Sequence, residues 1–122
     1  MMNYKKGSVV LVLFPNSDLV TAKRRPAVIV QSEGLDTGID QVIVAMVTSN
    51  LNREGKPFRI RINKDTDDGA AAGILTDSII MVDNMTTVRL AEIDKLIGAI
   101  SCVDKLDGAL KTVFALHGGI RV

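Results

Sequence analysis

Six short segments rich in β-branched and aliphatic residues follow one another along the chain, and they constrain its fold more than any other feature. Such residues favour strands, and polar or glycine-containing stretches that favour turns separate the segments. The predicted strands cover residues 8–14, 27–31, 41–49, 57–63, 78–88 and 95–101. So many short strands in one domain must curl to cover their edges, which predicts a small, strongly bent sheet or a barrel.

The fourth of these segments has the alternation of a half-buried strand. Phe58, Ile60 and Ile62 alternate with Arg59 and Arg61. Successive side chains of a strand point to opposite faces of the sheet, so one face is predicted to meet the core while the other presents arginines to water. The first three segments are apolar at almost every position and are predicted to be central strands.

The last part of the chain has the spacing of an amphipathic helix. Ser101 is a residue type that favours the N-cap, and Gly118 and Gly119 favour a helix end. The apolar stripe between them comprises Val103, Leu106, Leu110, Val113, Phe114 and His117. The predicted fold class is therefore mainly β with a C-terminal helix. The acidic, Gly- and Ala-rich stretch 63–73 is predicted to be a loop that can include one helical turn.

The chain has the size and composition of one globular domain. Its 122 residues are 47% hydrophobic and 24% charged, which excludes a disordered chain. No linker, repeat or low-complexity segment divides it, so a single domain over residues 1–122 is expected.

Cysteine use and hydropathy bear on compartment and cofactors. Cys102 is the only cysteine, so no internal disulfide is possible, and no CxxC or HExxH spacing offers a metal site. The N-terminal stretch lacks the pattern of a signal peptide, and no apolar run approaches the length of a membrane span. We expect a cytoplasmic protein with a reduced thiol, without membrane association, bound metal or cofactor.

The net charge of +1 conceals two unlike halves. Residues 1–64 contain ten Lys and Arg against five acids, whereas residues 65–122 contain five against nine. A basic half suits an anionic partner such as nucleic acid, although surplus Lys also serves solubility alone. Three of these cations, Lys23, Arg24 and Arg25, stand together immediately before Pro26, in a predicted polar loop at the mouth of the second strand.

The order of several short motifs is similar to that of a known family. A first strand runs into a Phe14–Pro15 loop and is followed by KRRPAVIV at 23–30, VAMVTS at 44–49 and DSIIMVDNMTTV at 77–88. With the closing helix, this order resembles the MazF/PemK family of toxin endoribonucleases from bacterial type II toxin–antitoxin pairs, over nearly the whole chain. The resemblance implies a compact barrel related to the SH3-like and gyrase-toxin folds. It also implies a homodimer, a cognate antitoxin and metal-independent, sequence-selective cleavage of single-stranded RNA.

The resemblance also implies a set of site residues. Arg25 matches the family's arginine before proline, and Thr48 matches its position at the end of the third strand. A guanidinium can grip a phosphate in bidentate fashion, and a hydroxyl can bond a phosphate oxygen or orient the 2′-hydroxyl. Ser49 is a nearby helper, and Lys23 and Arg24 are expected to follow the RNA backbone. From composition alone, Arg25 would be an ordinary surface residue and Thr48 an ordinary strand residue.

Cleavage without metal needs a proton acceptor, a cation over the phosphorane and a donor to the leaving 5′-oxygen. The single histidine, His117, continues the apolar stripe and is expected to pack or cap rather than catalyse. Several family members have a glutamate before the arginine, whereas Asp18 is the only acid in this loop. Asp18 is therefore the possible acid or base, with stabilisation of the turn, as by Asn16 or Ser17, as the alternative.

A second departure lies in the fifth strand. Many relatives have Gln followed by a basic residue where this chain has Asn84 and Thr86. Asn84 can still bond a base edge or a phosphate, so it is included among the RNA-binding candidates. The few aromatic residues predict that base stacking makes only a small contribution to binding.

Two other functions remain open. Gyrase-poisoning toxins resemble the same fold, bind a topoisomerase and catalyse nothing, but their action depends on a Trp near the C-terminus. This chain has no Trp and ends LHGGIRV. An inactive barrel that only binds an antitoxin is the third possibility, and contact with DNA is expected only indirectly, through an antitoxin complex.

Overall fold

The computed structural model describes residues 4–15, 18 and 20–117, and each predicted strand overlaps one that forms. The strands are β1 Ser8–Pro15, β2 Ala22–Ile29, β3 Gln41–Thr48, β4 Arg59–Ile62, β5 Ser78–Arg89 and β6 Ile93–Ala99. The helices are α1 Asp67–Ala72 and α2 Val103–Val113, with short 3-10 helices at Leu51–Arg53 and Leu90–Glu92.

The strands pair antiparallel in one sheet with the order β4-β5-β3-β2-β1-β6. Register shifts interrupt the β1–β6 and β3–β5 pairings, and such bulges bend a sheet and increase its twist. The described edge strands β4 and β6 do not pair with each other, so the sheet curls without closing through hydrogen bonds. The prediction of a mainly β fold with a C-terminal helix is confirmed.

Helix α1 links the two edges of this sheet. It follows β4 in the chain and packs against β6, where the two backbones approach closely. A Cβ atom on Gly98 would lie 2.3 Å from the carbonyl oxygen of Ala71, and one on Gly73 would lie 2.1 Å from that of Ile97. Gly73 also has a φ of 72° as the C-cap of α1. The stretch predicted as a loop therefore contains a helix that fills the gap between the edge strands.

Both faces of the central strands are buried. One face packs against α2 through Leu106 and Ala109. The opposite face has its own apolar cluster of Val10, Val12, Ala27, Ile29, Val42, Val44 and Val88. This arrangement explains why the first three segments are apolar at consecutive positions, since alternate residues enter two different cores.

Helix α2 ends four residues before His117. Phe114 is the C-cap, Ala115 has a φ of 53°, and the amide of Leu116 donates to the carbonyl of Lys111 at 2.7 Å. This bond closes the helix end, and it leaves His117 exposed beyond it. The prediction that His117 extends the packed stripe is therefore wrong, and the predicted stops Gly118 and Gly119 lie outside the described residues.

The start of α2 also differs from the prediction. Cys102 rather than Ser101 is the N-cap, and its side chain makes no capping bond. The Ser101 hydroxyl instead donates to the carboxylate of Asp68 in α1. Ser101 thus joins the two helices rather than capping α2. Burial is the main cause that raises the pKa of the Cys102 thiol.

The three adjacent cations belong to a strand and not to a loop. β2 begins at Ala22, and Lys23, Arg24 and Arg25 pair with Phe14, Leu13 and Val12 of β1. The first part of β2 is exposed and the second part is buried. This part of β2 has polar side chains on both faces, so its sequence shows neither an apolar run nor an alternation of apolar and polar residues. The strand was therefore expected to begin later.

Within the described residues, no helix is long and apolar enough to cross a membrane.

Candidate nucleic-acid interface

The candidate site is a groove that opens where β2 and β3 separate. Their pairing ends at Ala27 and Met46, although both strands continue. The Ile29 carbonyl accepts from the amide of Gly7, just before β1, and the Val30 amide donates to the carbonyl of Ile43 in β3. Backbone groups of successive residues point alternately to the two neighbouring strands, so the backbone nitrogen of Pro26, like that of Val30, points toward β3. Because proline has no N–H, the next hydrogen bond of the ladder cannot form. Beyond this point β2 pairs with β1 and β3 with β5, which leaves a groove of about 730 Å³.

The described lining of this groove is basic and polar, with an apolar part. Its cations are Lys23, Arg24, Arg25 and Arg53. Its polar side chains are Thr48, Ser49, Asn50, Thr76, Ser78, Asn84 and Thr86. Its apolar residues are Phe14, Pro26, Met46, Val47 and Met81. None of these lining side chains carries a carboxylate or an imidazole, so the positive charge of the groove is not neutralised from within.

Arg25 and Thr48 lie on opposite walls of the groove. The β2–β3 register pairs Ala27 with Met46, so two further steps place Arg25 across from Thr48 where the strands have parted. Pro26 restricts the backbone of Arg25 to an extended conformation. Arg25 is exposed and forms no ion pair with the described residues. Its guanidinium can therefore receive an anion without breaking a bridge.

The hydroxyl of Thr48 is oriented by the turn that follows β3. The amide of Asn50 donates to Thr48 Oγ1 at 3.1 Å. This bond uses one lone pair and leaves the hydroxyl proton to donate to a ligand. Ser49 lies between the two residues, is exposed and lines the same groove.

The three cations of β2 differ in their surroundings. Arg24 pairs with Asp94 of β6, with 2.8 Å between Nε and Oδ2. Lys23 and Arg25 have no such partner among the described residues. Since Lys23 and Arg25 are two residues apart, they share a face of the strand, and Arg24 points to the other. The charge of Arg24 is thus partly compensated.

A bulge turns Asn84 toward the groove. β3 pairs Met46 with Met81 but its neighbour Ala45 with Met85, so residues 82–84 of β5 have no partners on β3. Bulges redirect side chains in this way. In the same bulge, hydrogen bonds from Arg59 are the main cause that lowers the pKa of Asp83.

Asp18 is not among the residues that line the groove. Its carboxylate accepts from the amides of Val20 at 2.9 Å and Thr21 at 3.0 Å, and from the Thr21 hydroxyl. These bonds, the Thr21 amide first, lower the pKa of Asp18 and make it a weaker base. The structure uses this carboxylate to stabilise a turn, and it does not bring Asp18 or the exposed His117 to the other predicted site residues.

Several lining residues were not predicted. Arg53 stands after β3 in a segment without hydropathy signal, and Thr76 and Ser78 come from the chain that enters β5. A usable signal was the sequence NLNR at 50–53, because Asn is a good helix N-cap and Asn50 does cap the 3-10 helix that carries Arg53.

A basic, open groove on a small bent sheet is typical of proteins that bind a polyanion. The profile of the family described as "PemK-like, MazF-like toxin of type II toxin-antitoxin system" matches residues 5–114. The chain therefore belongs to this family of toxins. No curated protein sequence matches it significantly.

Solved structures share the fold at low sequence identity. An endoribonuclease from a mycobacterial species has 21% identity and a TM-score of 0.70, with 96% of each chain covered. A mycobacterial endoribonuclease in complex with its cognate antitoxin has 19% identity and a TM-score of 0.69, with 93% of this chain and 96% of that chain covered. MazE–MazF from Deinococcus radiodurans has 14% identity and a TM-score of 0.69, with 94% and 96% covered.

Proposed function

We propose that this toxin is a sequence-selective endoribonuclease that cleaves single-stranded RNA, such as mRNA, in the cytoplasm and without a metal ion. The observation that carries the proposal is the groove, which gathers Arg25, Thr48 and Asn84 from three strands. Cations, hydroxyls and amides can hold a phosphodiester and stabilise a phosphorane directly. Family membership and the endoribonucleases of the same fold support this choice of substrate.

In the proposed reaction the 2′-oxygen attacks the adjacent phosphorus and the bond to the 5′-oxygen breaks. The 2′-hydroxyl proton is lost and the leaving 5′-oxygen gains a proton, so the products are a 2′,3′-cyclic phosphate and a 5′-hydroxyl. Arg25 holds two non-bridging oxygens and stabilises the charge that develops on them. Thr48 donates its proton to a phosphate oxygen or orients the 2′-hydroxyl.

The apolar part of the groove provides a surface for a nucleobase. Met46 and Met81 are directly opposite each other across β3 and β5, and Phe14 packs in the same cluster as Met46. Phe14 is half-buried and lines the groove, so its ring can stack on a base, and methionine side chains adapt to different partners. Asn84, beside this surface, can bond a base edge and contribute to sequence selection.

Mapping the ends of a cleaved RNA tests the function. Purified protein is incubated with a long single-stranded RNA and EDTA, and the termini are sequenced and tested for 5′-phosphorylation. We expect cuts at a short recurring sequence, with cyclic phosphate and 5′-hydroxyl ends. Intact RNA together with inhibited gyrase supercoiling would instead support the gyrase poison. Intact RNA together with unaffected gyrase would leave the inactive barrel that only binds an antitoxin as the remaining function.

Lys23 and Arg24 are expected to contribute unequally to RNA affinity. Lys23→Ala should weaken binding and reduce the salt slope by about 0.7, the value for one contact to a single strand, because Lys23 has no ion-pair partner among the described residues. Arg24→Ala should have the smaller effect, since Asp94 already compensates its charge. Neither change should lower kcat. Titrations at several salt concentrations measure both slopes, and a larger loss for Arg24 would contradict the assignment.

Replacement of Asp18 tests whether it transfers a proton. We expect Asp18→Asn to retain cleavage within about twofold, since the carboxylate is bound in a turn and its lowered pKa weakens it as a base. The bonds to Asp18 stabilise the turn fully above pH 3.8 and are lost as the pH falls through the lower folded value. A loss near a hundredfold at neutral pH, without a change in Tm, would restore the catalytic role.

The groove is also the proposed site for the antitoxin, in a homodimer of the toxin. Cations on its walls attract an acidic segment, and Leu51 and Leu75, next to lining residues, are 36% and 88% exposed and offer apolar contacts. An antitoxin peptide should therefore compete with RNA for the groove. Simultaneous binding without mutual weakening would contradict the shared site.

The proposed homodimer has its own test. Sedimentation should show a dimer at micromolar concentration, and a monomer would contradict the dimer.

A further inference from the structure

Arg53 is a cation without a partner among the described residues, and it reaches the groove from the β3 side. It is the last residue of the 3-10 helix Leu51–Arg53, it is exposed, and it lines the groove. Its guanidinium has no hydrogen bond or ion pair with the described residues, whereas the other arginines of this region, Arg59 and Arg61, are both paired. Arg53 therefore stands opposite the β2 wall that carries Arg25, with its donors unoccupied.

The backbone of the segment that carries Arg53 is held by local bonds. Asn50 Oδ1 accepts from the amide of Asn52 at 3.1 Å. The Arg53 amide donates to the carbonyl of Asn50 at 3.1 Å, and the Asn50 amide donates to Thr48 Oγ1. The position of Arg53 is thus connected to that of Thr48.

Arg59 of β4 holds this segment from outside the groove. Its Nη1 donates to the carbonyl oxygen of Arg53 at 3.1 Å. Its Nε and Nη2 donate to Asp83 at 3.1 and 2.7 Å, in a bidentate pair. The side chain of Arg59 is only 18% exposed, and it lies over the ring of Phe58. A planar guanidinium clamped in this way is a rigid support, because its rotamer freedom is already lost.

Arg61, two residues along the same strand, provides a matched comparison. It donates to Glu54 at 2.9 Å and lies 3.7 Å from Asp77. Its partner Glu54 follows Arg53 in the chain, but the contact is with the Glu54 side chain alone, and Arg61 makes no hydrogen bond to Arg53 itself. β4 was predicted to present both arginines to water; Arg61 is exposed as predicted, whereas Arg59 is largely buried and bonds the Arg53 carbonyl.

We propose that Arg53 is a second phosphate-binding arginine of the groove and that Arg59 is its positioning residue, through the Arg53 carbonyl. The ligand is the phosphodiester backbone of a single strand, so the inference rests on the proposed function. Holding the backbone of Arg53 lowers the entropy lost when its side chain binds a phosphate. With Arg25 on the opposite wall, the groove then contacts the RNA backbone from both sides.

Binding of a mixed-sequence 2′-O-methyl RNA, which lacks the attacking hydroxyl, tests the inference without cleavage. We expect Arg53→Ala to weaken binding about tenfold and to lower the salt slope by about 0.7. Arg53→Lys should keep the slope and recover part of the affinity. Arg59→Lys, which keeps the charge but loses the fork, should weaken binding by a smaller factor. Arg61→Ala, the control, should leave binding unchanged.

A double-mutant cycle tests whether Arg59 acts through Arg53. In the Arg53→Ala background, Arg59→Lys should have no further effect on affinity. Melting curves are recorded for every variant. If the Arg59→Lys protein does not fold, Asp83→Asn replaces it, because this change weakens the bonds that hold the Arg59 guanidinium. An equal loss in both backgrounds would overturn the positioning role.

The outcomes for the inference and for the proposed function are separable. If the wild-type protein cuts RNA while Arg53→Ala binds with unchanged affinity and slope, the inference fails and the function stands. If the wild-type protein leaves RNA intact but its binding still depends on Arg53, the nuclease proposal fails and the phosphate site stands.

Discussion

Arg25→Ala should reduce RNA cleavage by about a hundredfold or more, which is the effect of removing one preorganised donor to a transition state. The loss should fall on kcat, because the charge on the phosphorane develops only during the reaction. Tm should change little, since the exposed side chain forms no ion pair with described residues. Single-turnover cleavage assays and melting curves on the same preparation measure both quantities.

Arg25→Lys is the matched control for this prediction. Lysine keeps the positive charge and loses the planar fork, so we expect activity closer to that of the alanine variant than to wild type. Full activity of Arg25→Lys would show that charge alone is sufficient and would contradict the bidentate role. Normal cleavage by Arg25→Ala would contradict the site assignment itself.

Gly98→Ala should lower the free energy of unfolding by about 3 kcal/mol, at the upper end of the cost of overpacking. The added Cβ would lie 2.3 Å from the carbonyl oxygen of Ala71 and 2.5 Å from the carbonyl carbon of Ala72. These are backbone atoms, so α1 and β6 must move apart. In a domain of this size the expected drop in Tm is roughly 10 °C.

Gly38→Ala is the control for the clash at Gly98. Gly38 has a φ of 73°, and nothing lies within 4 Å of its added Cβ. It should therefore cost only the strain of a left-handed alanine, about 1 kcal/mol. Thermal melts of both variants give the comparison, and equal losses would show that the contact of α1 with β6 tolerates an extra methyl group.

The buried part of the fold was readable from the sequence because its signal is local. Each central strand is a run of apolar, mostly β-branched residues, and most of these residues enter one of two cores. The helical spacing of α2 was equally clear up to Val113. The end of α2 could not be predicted, because the residue with a left-handed backbone in the turn that closes the helix is Ala115 and not a glycine.

Part of the candidate site was also readable. Arg25 and Thr48 were predicted from short motifs, and the structure brings them to one groove together with Lys23, Arg24, Ser49 and Asn84. Pro26 belongs to the same short motif as Arg25, and its missing N–H ends the pairing of β2 with β3 beside Arg25. The residue that opens the groove and the residue that lines it are therefore neighbours in the chain. The catalytic role of these residues stays a prediction until the variants are measured.

The sequence by itself determined the strands, the closing helix and the family, because periodicity and motif order depend on neighbours in the chain. Tertiary structure alone decided which charged side chains form ion pairs. Arg24 meets Asp94 from another strand, Arg59 supports the segment after β3 instead of facing water, and Arg53 has no partner among the described residues. It also decided that α1 joins the sheet edges. These contacts unite residues far apart in the chain, and pairing of charges depends on distances that only the folded backbone sets.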